Sequence, residues 1–164
     1  MAALPSPCPL APQVTLMLQK QASVPRHLDQ ARDVIKKLPL FDGLSDGEKD
    51  EFLSKTHVKN YLRGAYLFTQ GDNVRSFYIV QSGVVQLFRT TPGGDEITTD
   101  ILIEGDTICE GKVFRYNTFH PDYALCVEDS TLLEFSAHWL RESVRKNTTL
   151  SLNMLSILSL RSQL

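Results

Sequence analysis

The sequence predicts a mainly β domain, a small sandwich or barrel of antiparallel strands with flanking helices. Three observations carry this expectation. The runs "THVKNYL", "AYLFTQ", "SFYIV", "GVVQLFRTT", "EITTDILI", "YALCVE" and "TLLEF" are short and rich in β-branched and aromatic residues, as strands require. Turn residues separate them at short intervals, at Gly64, Gly71-Asp72, Ser82-Gly83, Pro92-Gly93-Gly94 and Gly105-Asp106. On both sides of this region the apolar residues change to helical spacing.

Taken in order, residues 1–26 are dense in proline (Pro5, Pro7, Pro9 and Pro12 open the chain) and low in charge, which predicts an extended arm outside the core. Leu28, Ala31, Ile35 and Leu38 fall on one face of a short helix that ends at Pro39. "LSDGEKDEFLSK" predicts a second helix, because Ser45 and Glu48 have the spacing of a capping box, and Phe52 and Leu53 are its inward residues. In "EITTDILI", Ile97, Thr99, Ile101 and Ile103 alternate with Thr98 and Asp100, which predicts a half-buried strand. Ser136 is placed to cap a helix through "SAHWLRESVRKN", with Leu140 and Val144 on one face and Arg145 and Lys146 near the negative end of its dipole. From Thr148 a further helix carries apolar residues at Leu150, Met154, Ile157, Leu158 and Leu164, interrupted by Arg161. A stripe so apolar must be covered by the chain's own barrel or by a second copy of itself. The sequence stops at Leu164 with no cap, glycine or proline, as though inside an element.

The totals narrow the class. A chain of 164 residues suits one domain with an appended helix. With 42% hydrophobic and 22% charged residues and a formal charge of −2, it has no global electrostatic case for gripping nucleic acid or an anionic membrane. No apolar run approaches the roughly 20 residues that span a bilayer, and the N-terminus lacks the basic region of a secretory signal. Cys8, Cys109 and Cys126 are an odd number without a C-x-x-C spacing. Neither a disulfide framework nor a four-cysteine metal site is signalled, and a cytoplasmic protein with reduced thiols is expected.

The segments "LFDGLSDGEKDEFL", "YLRGAYLFTQGDNVRSFYIVQSGVVQLFRTTPGGDEITTDILIEGDTICEGKVF" and "LLEFSAHWLRESVRKNTTLSLNMLSILSLR" resemble the effector domain of the CRP/FNR superfamily of bacterial transcription regulators. The resemblance spans residues 38 to 164. It implies an antiparallel double-stranded β-roll, jelly-roll-like, then a short helix, a long dimerisation helix and a winged helix-turn-helix that reads DNA. On this reading residues 1–26 are the arm, 27–146 the effector-sensing domain and 147–164 the start of the dimerisation helix. The DNA-reading part lies outside the 164 residues. The partners so implied are a second copy of the chain, a small effector and, through the missing domain, promoter DNA. The glycines at 64, 71, 83 and 105 are corners of the roll.

The resemblance also frames the choice of effector. Members that bind cyclic AMP carry Gly-Glu-Leu after the "GD" turn and an Arg-Ser pair that holds the phosphate. A buried phosphodiester needs such an arginine, whose charge and paired donors offset the loss of water. Here Cys109-Glu110-Gly111 retains only the glutamate, and His120-Pro121 stands where Arg-Ser is expected. Arg115 is the nearby candidate to compensate. The effector-pocket candidates are therefore Cys109, Glu110, Phe114, Arg115, His120 and Tyr123. The single arm cysteine, Cys8, does not supply the cluster of an iron–sulfur oxygen sensor. The remaining branches respond to nitric oxide, carbon monoxide or redox state, often through haem. Haem is accordingly a candidate cofactor, with His27, His57, His120, His138 and Cys109 as candidate axial ligands. The carbon-monoxide-sensing branch has a haem thiolate where Cys109 lies, but Gly111 replaces its neighbouring histidine. The nitric-oxide-responsive pattern fits better.

Each feature also has a plainer reading. Free cysteines are commonly small buried hydrophobes, and Glu110 at a helix start can simply accept backbone N–H groups. Two other functions stand beside the sensor: a cyclic-nucleotide-binding module, which the absent Arg-Ser pair disfavours, and a cupin-like metal enzyme. The latter needs two or three histidines and a carboxylate at strand spacing, and the four histidines are scattered.

Overall fold

The computed structural model describes residues 24–115 and 117–161, with side chains from residue 29 onward. The first helix, α1 (Val24–Lys37), begins inside the expected arm, whose residues 1–23 lie outside the described residues. Ala31, Val34, Ile35 and Leu38 are its buried face. A 3₁₀ turn (Pro39–Phe41) follows and buries Leu40 and Phe41. Helix α2 (Asp46–Ser54) has the expected capping box: the Glu48 N–H donates to Ser45 Oγ at 3.3 Å and the Ser45 N–H donates to Glu48 Oε2 at 2.7 Å. Two otherwise orphaned donors are thereby satisfied. Phe52 is buried against Phe41 and Trp139, with ring centroids 5.0 and 4.7 Å apart, and Leu53 packs beside the core.

Eight strands follow among the described residues: β1 (His57–Tyr61), β2 (Tyr66–Phe68), β3 (Ser76–Ser82), β4 (Val85–Thr90), β5 (Glu96–Leu102), β6 (Thr107–Ile108), β7 (Tyr123–Cys126) and β8 (Ser130–Ser136). They form two antiparallel four-stranded sheets, ordered β1-β8-β3-β6 and β2-β7-β4-β5. Most connections cross from one sheet to the other, which makes the double-stranded roll. β6, only two residues long beside the Gly105 turn, is a strand that the sequence pattern did not reveal.

The two sheets differ in cover. The first carries α1 and helix α3 (Ala137–Lys146) on its outer side, so β3 is buried from Phe77 to Gln81 on both faces. No helix among the described residues covers the outside of the second in this way. That difference corrects the half-buried strand expected at 96–103: β5 pairs only with β4 and is exposed from Glu96 to Ile101, with Leu102 alone buried. Ile97, Ile101 and Ile103 are all more than half exposed. Alternation makes a strand amphipathic, but burial needs a layer to cover it.

Gly64, Gly71, Gly83 and Gly105 all have φ near +90°, a region L-residues disfavour. At Gly83 (φ +94°) there is a second constraint, since an added Cβ lies 2.2 Å from Ser130 Oγ and 2.6 Å from Ser130 Cα. Here the turn between β3 and β4 rides directly on the chain entering β8.

The Trp139 N–H donates to Ser136 Oγ at 3.4 Å, the expected cap of α3. The last helix, α4 (Thr148–Arg161), is capped by Asn147, whose Oδ1 accepts from the Leu150 N–H at 3.0 Å and whose Nδ2 donates to Glu48 at 2.6 Å. Asn153 also ties α4 to the carbonyls of Leu40 and Asp42. Leu150 and Met154 are buried and Ile157 and Leu158 half-buried, all against the chain's own core. Of the two covers expected for this stripe, the chain's own barrel and a second copy, the described residues show the first, and Leu150, Met154, Ile157 and Leu158, expected at the dimer seam, are turned inward. The opposite face presents Leu152, Leu155 and Leu160, each about 60 to 70% exposed. Leu164 lies outside the described residues. No helix among them is long and apolar enough to cross a membrane.

Candidate functional site

The segment from Thr107 to Asp122 lies between two cavities. β6 pairs with β3 and delivers the chain to Cys109, which adopts φ +74°, a left-handed conformation that strains a non-glycine residue. Its carbonyl accepts from the N–H groups of Lys112 and Val113, both at 3.0 Å, so the strain closes a tight turn carrying Glu110 and Gly111. The segment then returns along the Gly71 corner. The Gly71 N–H donates to the His120 carbonyl and the His120 N–H to the Asp72 carbonyl, both at 2.8 Å, and Val74 N–H donates to Thr118 at 2.9 Å.

This zipper seats His120 inside the roll, only 3% exposed. Its ring stacks on Phe68 with centroids 3.6 Å apart and planes 14° apart, and its Nδ1 lies 3.6 Å from Cys109 Sγ. Burial, reinforced by the Lys112 charge, pushes the imidazole down to about 4, while burial pushes the Cys109 thiol up to about 12. Both are neutral at pH 7, and the thiol S–H is the donor that a neutral Nδ1 can accept.

The smaller cavity, about 280 Å³, lies beneath α4 and is lined by Leu87, Ile108, Cys109, Glu110, Gly111, Lys112, Leu158 and Arg161. Arg161 closes one side: its guanidinium pairs with Glu110 Oε1 at 2.6 Å, donates to the Thr107 carbonyl at 3.1 Å and lies 4.0 Å from Asp100. Glu110 Oε2 is buried and has no hydrogen-bond partner among the described residues. Burial raises the Glu110 carboxyl above the usual carboxylate range, against the pull of Arg161. Beside this cavity Asp122, 4% exposed, pairs with Arg89 at 2.5 Å and Lys112 at 3.0 Å. Burial alone would raise its carboxyl, but the hydrogen bonds from Arg89 and Lys112 prevail and hold it below the usual range. The larger cavity, about 500 Å³, lies on the other side of His120 and has mainly polar walls, including Asp72, Arg75, Ser76 and Glu134.

The structure brings together Cys109, Glu110 and His120 of the expected pocket residues. Phe114 packs half-buried against the core. Arg115 is exposed and borders neither cavity, so it does not replace a phosphate-binding arginine there. Tyr123 stacks on Phe88 at 5.0 Å and borders neither cavity. His57 and His138 are exposed on β1 and at the start of α3, and the side chain of His27 is outside the described residues. Lys112, Asp122, Arg89 and Arg161 were not anticipated. Asp122 had a signal: it is two residues before Ala124 and four before Cys126, both fully buried on β7, so alternation places it inward. No group of three or more His, Cys, Asp or Glu side chains that could hold a metal ion occurs among the described residues.

A double-stranded roll with a small cavity walled by the last described helix is the class of fold observed. The chain belongs to the cyclic nucleotide-binding domain family, whose sequence model matches residues 58–147, and its relatives are regulators of the CRP/FNR type. It is 33% identical over 127 residues to the cyclic AMP receptor protein of Thermus thermophilus, covering 77% of this chain and 58% of that protein. It is 29% identical over 97 residues to the fumarate and nitrate reduction regulatory protein of Escherichia coli, covering 59% of this chain and 38% of the relative. The chain thus spans about half the length of these curated relatives. Among solved structures it is similar to the sensor domain of the transcriptional regulator DNR from Pseudomonas aeruginosa, with a TM-score of 0.73 and 30% identity over 82% of this chain and 89% of that one.

Haem, which the resemblance brings in as a candidate, does not fit these residues as they stand. Cys109 and His120, the two buried candidate ligands, are turned on each other. The cavity beside Cys109, about 280 Å³, falls just below the range of ligand pockets, which run from roughly 300 Å³. The larger cavity bordered by His120 has charged walls rather than an apolar slot.

Proposed function

We propose that the chain is the sensor and dimerisation module of a CRP/FNR-type transcription regulator, not an enzyme, acting in the cytoplasm. Its effector enters the roll beneath α4, and DNA is read by a winged helix-turn-helix outside these residues. The observation that carries this reading is that Leu158 and Arg161 of α4 form a wall of the cavity. A ligand there touches the helix as well as the roll, and so biases how the helix packs. Coupling of this kind requires two arrangements that the ligand distinguishes. The exposed Leu152, Leu155 and Leu160 face supports pairing with a second copy, and a two-fold dimer suits a palindromic site.

The effector is an uncharged or redox signal such as nitric oxide or carbon monoxide, in preference to a cyclic nucleotide. His120 is neutral, buried and engaged by Cys109, Pro121 has no N–H, and Arg115 is exposed and borders neither cavity. Calorimetry with cyclic AMP and cyclic GMP should give no binding heat. Absorption spectra with and without added haem, reduced and then exposed to nitric oxide or carbon monoxide, test the gas-sensing branch, and a Soret shift would show that the Cys109–His120 pair opens to admit haem. Sedimentation should show a dimer that Leu152→Glu with Leu155→Glu converts to monomer. High-affinity cyclic AMP binding, or a monomer at high concentration, would overturn the respective part.

A further inference from the structure

Asp122 is a buried carboxylate whose role the sensing reading leaves open. Both of its oxygens are taken: Oδ1 lies 2.5 Å from Arg89 Nε and 3.5 Å from the Thr99 hydroxyl, and Oδ2 lies 3.0 Å from Lys112 Nζ. The donors come from β4, β5 and the turn after β6, three parts of the chain that converge on one small anion. Two cations and a hydroxyl around a two-oxygen anion is the donor set that proteins use for phosphate and carboxylate ligands. Lys112 also borders the cavity beneath α4, whose other cation, Arg161, is already paired with Glu110. The described cations on this wall are therefore matched by carboxylates belonging to the chain. An anionic ligand there would meet the unpartnered Glu110 Oε2, while Lys112 and Arg161, the described cations of the lining, are already engaged by Asp122 and Glu110.

We propose that Arg89, Lys112 and Thr99 form an oxyanion seat that Asp122 fills from within, so that Asp122 is the residue that closes the roll to phosphate-bearing ligands. The inference rests on the reading that the effector is not a cyclic nucleotide, and assigns that preference to one side chain. Asp122 acts as a tethered ligand. Being covalently attached, it competes at an effective concentration that a free anion does not reach. Removing it leaves two adjacent cations in a partly desolvated site, where an oxyanion from solution replaces it.

The test is calorimetry of the full chain with inorganic phosphate and with cyclic AMP, for wild type, Asp122→Ser and the near-isosteric Asp122→Asn. Circular dichroism and thermal melting establish that each is folded. Wild type should bind neither probe. Asp122→Ser should bind phosphate or cyclic AMP at least about tenfold more tightly than the detection limit that bounds wild type, a change of at least about 1.4 kcal/mol, and Asp122→Asn should gain in the same direction. Adding Arg89→Gln to Asp122→Ser should abolish the gain. Folded variants at Asp122 that bind no better than wild type would overturn the seat, as would a gain that survives Arg89→Gln. Tight cyclic AMP binding by wild type would instead overturn the non-nucleotide reading, and a further gain on removing Asp122 would still support the seat.

Discussion

His120 should make the fold acid-sensitive in a window set by its burial. The imidazole is 3% exposed, stacked on Phe68 and 3.6 Å from Cys109 Sγ, and its pKa is pushed from the ordinary 6.5 to about 4, chiefly by burial. In the unfolded chain it returns to its ordinary value. Between the two values the unfolded chain holds a proton that the folded chain does not, so stability rises with pH there and is lost as pH falls. With each unit equivalent to about 1.4 kcal/mol, the loss reaches about 2 kcal/mol at pH 5 and about 3 kcal/mol at pH 4. Urea unfolding followed by the fluorescence of Trp139, the single tryptophan, measures it at pH 7, 6 and 5. Glu110 contributes with the opposite sign, because burial raises its carboxyl and acid relieves the cost of its charge. Asp72, Asp122 and Glu134, whose carboxyls are held low, destabilise as they protonate, mainly below this window. Comparison with His120→Gln cancels these shared effects. Wild type should lose about 2 kcal/mol more than the variant between pH 7 and 5. Equal losses would refute the claim that a neutral His120 is built into the folded state.

Two further perturbations separate local causes. Gly83→Ala should lower stability by about 3 kcal/mol in denaturant titration, because both φ and the contact with Ser130 oppose a Cβ. Gly71→Ala, where φ is +93° but nothing lies within 4 Å of the added carbon, should lose only about 1 to 2 kcal/mol. Arg161→Ala removes the cation facing Glu110 and should raise hydrogen exchange in the last turn of α4. Its stability deficit, about 2 kcal/mol at pH 7, should shrink as pH falls, because a carboxyl raised by burial takes up its proton earlier than an ordinary one and ceases to be a buried charge.

The parts of the fold legible in the sequence are those whose cause is local. The α2 cap is a reciprocal pair three residues apart, and the strands carry β-branched residues between turns that need positive φ. What covers an element is not local, and here the reading diverged. The alternation in β5 is real, yet none of the described residues forms a layer over it. In α4, leucines at 150, 152, 155, 158 and 160 surround the helix, so spacing alone did not say which would meet the roll. The site divides in the same way. Cys109, Glu110 and His120 were found because a motif places them. Arg89, Lys112 and Asp122 matter only through one another, and Arg161 through Glu110; the partners meet because the roll folds β4, the turn after β6, the approach to β7 and the end of α4 together.

That convergence gives the site one side with its polar groups matched and one side incompletely satisfied. His120 is held by two backbone hydrogen bonds to the Gly71-Asp72 corner and by its stack on Phe68, and Asp122 is held by two cations. A ligand gains little by disturbing either. Glu110 is different: one oxygen faces Arg161 and the other lacks a partner among the described residues. A ligand in the cavity can donate to the free oxygen and reinforce the Arg161 contact, or compete for the paired one and release it. Either event acts on the last turn of α4, and in neither does the roll itself need to change shape. On the proposed sensing function, the buried, incompletely satisfied carboxylate is therefore the point where ligand chemistry would be most readily converted into helix position, and Arg161, which interrupts an apolar stripe, would carry the conversion.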